Sequence, residues 1–135
     1  MLLVIDANVV VAALISPDGI TNDLLFSPRV EGIAPEFIEE EVHKYLSLIA
    51  TKSGISKEDI LITLELIFSH IRLFSSIEYE SERGKAKIIS PDPNDAEYFA
   101  LALSLSCPLW SNDKKLKSQS AVKVLSTSEL IQFLS

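Results

Sequence analysis

Residues 2–6, "LLVID", set an acid directly against a run of apolar side chains, and "NVVVAALI" follows with no turn residue between them. A short run that is apolar at every position fits a strand buried on both faces, not one with a wet face. "NVVVAALI" reads as a helix despite its valines, and "SPDG" at 16–19 stops it. A buried strand that passes straight into a helix opens a β-α unit. Repeated units of that kind build a mostly parallel sheet with helices on both faces.

The rest of the chain fits this plan. Residues 21–27 form a short helix, and "VEGIAP" (30–35) is a weak strand or a turn. From Pro35 the pattern turns helical, with Phe37, Ile38, Val42, Tyr45, Leu46 and Ile49 at three- and four-residue spacing. Lys52-Ser53-Gly54 ends that helix. Ser56 and Asp59 resemble a capping box for another over 56–69, with Ile60, Leu64, Ile67 and Phe68 on its apolar side. "IRLF" (71–74) reads as a third strand, followed by a polar helix around 80–89. Asp92 caps and Pro93 opens a further helix, whose apolar face carries Phe99, Ala100, Leu103 and Cys107. Pro108 ends it, "PLW" begins a strand, "VKVLS" (122–126) is the last strand, and "STSELIQFLS" is a capped helix. The expected fold is α/β: one three-layer domain over 1–135, within the length of a single core.

Composition narrows the function. The formal net charge is −7, which argues against a protein that binds nucleic acid by bulk electrostatics. It leaves room for an enzyme whose acids are offset by bound cations. The single cysteine, Cys107, forms no internal disulfide and no cysteine-rich zinc site, and is expected as a buried, inert thiol. No apolar run reaches the roughly 18–20 residues that span a bilayer. The first fifteen residues lack a basic start and are interrupted by Asp6 and Asn8, so they do not read as a signal peptide. Together these features point to the cytoplasm.

Ligands of parallel sheets bind beyond the carboxyl ends of the strands, where the strand order switches direction. Asp6 ends the first strand and Asp113 lies just past the strand at 108–111, so neighbouring positions for these strands would put both acids in one crevice. Asp95 stands at the start of a helix. "EFIEEEVHKYL" adds a glutamate from the helix at 35–52; Glu41 and Glu40 compete for the inward position, and helix rotation alone does not separate them. Each acid has a commonplace explanation. Asp6 and Asp95 suit helix starts, Asp113 suits a turn, and most of the glutamates suit a wet helix face. Gathered together, unpaired carboxylates repel one another and call for a cation. An all-oxygen donor set suits Mg²⁺ or Mn²⁺. Such ions activate water and stabilise a phosphoryl group, often as a pair roughly 3.5–4 Å apart.

Four segments in this order, "VIDANVVVAALI", "PEFIEEEVHKYL", "DPNDAEYFALAL" and "LWSNDKKLK", make the chain resemble a PIN domain, the metal-dependent nuclease fold that includes the VapC toxins. The resemblance covers essentially the whole chain. It implies acids at Asp6, Glu41, Asp95 and Asp113, with Asp6, Asp95 and Asp113 as metal ligands. Asn8, Glu40, Asp92 and Ser111 are implied as accessories. It further implies an RNA substrate, an antitoxin if the chain belongs to a toxin pair, and a homodimer, for which the apolar side of the 56–69 helix is a candidate. Lys114, Lys115 and Lys117 are candidate phosphate contacts, against the ordinary reading of a solvated turn. The long stretch between the glutamate helix and Asp95 departs from the commonest toxins and fits a stand-alone or divergent member. His43 and His70 read as structural or surface groups. Two other functions compete with a ribonuclease. One is a catalytically silent RNA-binding or regulatory module. The other is an acid-site phosphatase, which usually carries Asp-x-Asp where this chain has Asp6-x-Asn8.

Overall fold

The computed structural model describes residues 1–135. Five strands form one all-parallel sheet in the order β3-β2-β1-β4-β5. They are β1 (Leu2–Ile5), β2 (Glu31–Pro35), β3 (Ile71–Phe74), β4 (Leu109–Trp110) and β5 (Val124–Leu125). Eight α-helices connect and cover them: α1 (Ala7–Ile15), α2 (Ile20–Leu25), α3 (Phe37–His43), α4 (Leu46–Ser53), α5 (Lys57–Ser69), α6 (Arg83–Ile89), α7 (Ala96–Leu105) and α8 (Thr127–Leu134). The α/β fold expected from the sequence is therefore the one observed.

The chain steps outward from β1 to β2 to β3, then returns to the other side of β1 as β4 and moves outward again to β5. The helices of the first two steps pack together around α1, and α6 packs beside α7. α1 packs against α2, α3, α4 and α5, while α7 lies against β1, β2 and β4. The reversal of direction makes the carboxyl ends of β1 and β4 the switch point. Register aligns Ile5 with Trp110, so the residues that follow each of them emerge side by side.

Burial explains why these segments hold their places. Leu3, Val4 and Ile5 have no exposed surface, as expected for a strand covered on both faces. "VEGIAP" forms a true strand between β1 and β3 despite its weak pattern. Its Gly32 allows close packing, because a Cβ at that position would meet Ile5 Cγ1 at 3.2 Å, tighter than ordinary van der Waals contact. The Ser56 side chain accepts a hydrogen bond from the Asp59 amide at 3.2 Å and starts α5. Ser126 and Glu129 close a reciprocal capping box at α8.

Several expectations need correction. The single helix over 35–52 is two helices, broken at Lys44 and Tyr45. The Tyr45 amide bonds back only three residues, to Val42 O at 3.0 Å, and its φ of −102° and ψ of 7° leave the helical basin. The break turns α4 so that it packs against both α1 and α5. Tyr45, read as part of the apolar stripe, is consequently exposed. The polar helix at 80–89 begins as a 3-10 segment, Ser76–Glu82, before α6. A second 3-10 turn, Pro93–Asp95, precedes α7. α7 stops at Leu105 because Ser106 takes a left-handed φ of 50°. Cys107, just beyond, is half-buried. On α5, Ile60, Leu64 and Ile67 are buried within the chain itself, so only Leu61, Ile62 and Leu66 remain as an outward apolar face.

Candidate active site

The switch point opens into a cleft of about 370 Å³ lined by Asp6, Asn8, Glu41, Asp92, Asp95 and Asp113 on its acidic side. Five carboxylates thus come from four parts of the chain. Asp6 follows β1, Glu41 projects from α3, Asp92 and Asp95 flank the 3-10 turn before α7, and Asp113 follows β4. Asp6, Asp95 and Asp113 share the crevice expected for them. The structure also separates the two competing glutamates. Glu41 faces the cleft, whereas Glu40 is exposed and outside it.

Helix capping does not account for Asp6 or Asp95. Each stands at the N-cap of its helix, yet neither side chain makes a capping hydrogen bond. Asp92 and Asp113 do follow the commonplace role in part. Asp92 Oδ1 accepts from the Asn94 amide at 2.9 Å, and Asp113 Oδ1 from the Lys115 amide at 3.0 Å.

Asp6 is held by Ser111, which is itself buried. Ser111 Oγ donates to Asp6 Oδ2 at 2.6 Å and accepts from the Asp113 amide and from Asn8 Nδ2, both at 3.1 Å. A hydroxyl has one proton. With that proton committed to Asp6, Ser111 can only accept from Asn8, which fixes the amide group of Asn8 toward it. Asn8 Oδ1 is then left buried and without a partner. Glu41 is held in a comparable way, since the Tyr98 hydroxyl donates to its Oε1 at 2.5 Å. Burial is the main influence raising the Tyr98 phenol's pKa, with the Glu41 hydrogen bond second. The phenol therefore remains a donor.

Burial, and then crowding without counter-charge, raises the pKa of two of the acids. Burial raises Asp6 from 3.8 to about 6; the Ser111 hydrogen bond opposes the rise, and the charges of Glu41 and Asp113 add to it. Asp95 rises to about 7, first by burial and then by the charges of Asp6, Asp92, Glu41 and Asp113. The three ion pairs of the chain, Arg83–Glu80, Arg83–Glu97 and Lys117–Glu129, all lie elsewhere.

These donors fit a hard divalent cation in kind, since every one is oxygen and the orphaned Asn8 Oδ1 adds a neutral oxygen at the same place. No three of the carboxylates gather closely enough to enclose an ion by themselves. Mg²⁺ commonly takes one or two protein carboxylates and keeps several waters, so an enclosing set of three is not required of such a site.

The lysines take a different position from the acids. None of Lys114, Lys115 and Lys117 lines the acidic cleft. Asp113 forms the ridge between that cleft and an adjoining hollow of about 350 Å³ that contains Lys114, Lys117 and Glu129. Lys117 is paired with Glu129, while Lys114 and Lys115 are exposed and outside the three ion pairs. The histidines stay apart from the cleft, with His43 Nδ1 against Glu39 O and the His70 ring edge-on to Phe26. Two contributors were not singled out from the sequence. Tyr98 was not among the residues read for the face of its helix, and its position three residues after Asp95 was the available signal. The apolar wall of Val11, Tyr45 and Leu48 carried no signal distinct from core.

No helix is long and apolar enough to cross a membrane. No curated protein matches the chain in sequence. Among solved structures, the chain is similar to one in the crystal structure of VapBC2 from Rickettsia felis bound to a DNA fragment from their promoter. The similarity has 18% identity and a TM-score of 0.66, and it covers 93% of this chain and 98% of the other. At that identity the likeness concerns the fold. Residues 4–135 match the family model described as PIN domain, and the chain belongs to the PIN domain family.

Proposed function

We propose that this chain is an endoribonuclease that depends on Mg²⁺ or Mn²⁺. The observation that carries the reading is five carboxylates sharing one cleft that no lysine or arginine lines, two of them raised to about 6 and about 7. A bound divalent ion would supply the missing charge, activation of water and stabilisation of the phosphoryl group. Asp6, Asp95 and Asp113 are the ligands in this reading, one or two of them binding an ion directly and the rest through its waters, with Glu41 acting directly or through water. Ser111 fixes the direction of Asp6, Tyr98 fixes that of Glu41, and Asn8 offers its free carbonyl oxygen. Asp92 contributes negative charge at the rim.

The RNA backbone would leave the cleft across Asp113 and meet Lys114 and Lys115. Lys117, paired with Glu129, is the weakest of the three candidates. A narrower form of this reading is a cytoplasmic toxin with an antitoxin protein as partner; the fold likeness to a chain of VapBC2 is compatible with it, while the long stretch before Asp95 favours a stand-alone or divergent member. Leu61, Ile62 and Leu66 are candidates for the contact of a two-fold dimer.

The test is cleavage of a single-stranded RNA oligomer in Mg²⁺ or Mn²⁺, with and without chelator, beside hydrolysis of a phosphomonoester. RNA cleavage that the chelator abolishes, without phosphomonoester turnover, is expected. Phosphomonoester hydrolysis alone would make the chain a phosphatase. Neither activity would leave a silent module.

A further inference from the structure

The cleft is not acidic throughout. Its other wall is formed by Ala7, Val11, Tyr45 and Leu48, so carboxylates and apolar side chains face the same space. Tyr45 and Leu48 are both 43% exposed, so their apolar surface is open to the cleft. The helix break places the ring there. Tyr45 lies between α3 and α4, outside helical geometry, and Leu48 follows within the first turn of α4. Elsewhere, ring–ring contacts join Phe26 to His70 and Phe37 to Tyr98, and the rings of Phe74 and Phe133 lie under cations. The Tyr45 ring takes part in none of these contacts.

We infer that Tyr45, backed by Leu48, is a stacking shelf for one unpaired nucleobase adjacent to the scissile phosphate. This deepens the ribonuclease reading and rests on it. A nucleotide has an anionic part and a flat apolar part, and the cleft divides in the same way. Its acids would meet the phosphate through divalent cations, and its aromatic wall would meet the base. The volume of about 370 Å³ falls within the range of small-ligand sites, roughly 300–1,000 Å³. Stacking on an aromatic ring is sequence-tolerant, because every base has a π-face. It is denied to a base still stacked in a duplex. Tyr45 is thus a specificity residue that selects single-stranded RNA.

The test is equilibrium binding of a fluorescein-labelled RNA hexamer in Ca²⁺, with the RNA checked by gel to remain intact. It is run on wild type, Tyr45→Phe and Tyr45→Ala, against the single strand and a blunt duplex of the same sequence. Tyr45→Ala is expected to weaken single-strand binding by about 5- to 10-fold, the low end for loss of one aromatic–base stack. Tyr45→Phe should bind within about twofold of wild type, since a phenyl ring retains the π-face. Duplex binding should be the same for all three proteins. Wild-type cleavage of the single strand in Mn²⁺, measured in parallel, tests the ribonuclease reading separately. No cleavage with the stacking pattern intact would sink that reading and leave Tyr45 a stacking shelf in an RNA-binding cleft without a scissile phosphate. Single-strand binding by Tyr45→Ala equal to wild type, an equal loss on the duplex, or no binding by wild type would overturn the shelf. So would unchanged RNA binding with dissociation of a dimer in sedimentation, which would make Tyr45 a protein contact.

Discussion

Asp6→Asn should make the metal-free protein more stable at pH 8. The Asp6 side chain is 5% exposed, and its carboxyl is raised from 3.8 to about 6. A raised acid binds its proton more tightly in the fold than in the unfolded chain, so stability falls as pH climbs from about 4 to 6 and stays reduced above. At about 1.4 kcal/mol per pH unit, the full penalty is about 3 kcal/mol. Asparagine removes the charge but accepts more weakly from Ser111, which leaves a net gain of about 1–2 kcal/mol. For a chain of this size that raises Tm by roughly 3–8 °C. Asp95 adds to the effect, because the Asp6 charge is the second cause of its rise to about 7. The assay is a thermal melt of both proteins from pH 4 to pH 8 in chelator, repeated at pH 8 with Mn²⁺. The gap should be near zero at pH 4 and open by pH 7. Saturating Mn²⁺ at about 100 times its Kd should return about 2.7 kcal/mol to wild type and less to the variant. A gap of the same size at pH 4 and pH 8, or a less stable variant at pH 8, would refute the idea of an unpaired, crowded carboxylate.

Other expectations follow from single contacts. Ser111→Ala removes the only side-chain donor to Asp6 and should weaken Mn²⁺ binding by about 10- to 100-fold in calorimetry, as loss of a group that orients a ligand does. Glu41→Gln should lower RNA cleavage by at least about 100-fold, whereas Glu40→Gln, exposed and outside the cleft, should cleave like wild type. Ser106→Gly should stabilise the chain by about 0.5–1 kcal/mol in urea denaturation, because glycine relieves the cost of the left-handed residue that ends α7.

The parts legible in the sequence were those that local chemistry fixes. An apolar run closed by an acid identified β1 and Asp6 together, and the switch-point rule then joined Asp6 to Asp113. Pro93 and Asp92 marked the approach to α7 through their own backbone preferences. β2 was faint because Gly32 and Pro35 weaken its strand character, and its place between β1 and β3 depends on pairing with distant residues. The break at Tyr45 was hidden because "VHKYLSLI" contains neither glycine nor proline and keeps helical spacing across the bend. Helix rotation did not tell Glu41 from Glu40, and the contact that orients Glu41 comes from Tyr98, 57 residues away in sequence. The same limit applies to Lys117, whose partner Glu129 is twelve residues on and belongs to another helix.

The most direct test of the proposed site is the rate of single-stranded RNA cleavage against Mn²⁺ concentration for wild type and Asp6→Asn. Wild type should show saturable activation, and the folded variant should lose at least about 100-fold in rate at any Mn²⁺ concentration. Cleavage by a folded Asp6→Asn protein at the wild-type rate would contradict the assignment of this cleft as the catalytic centre.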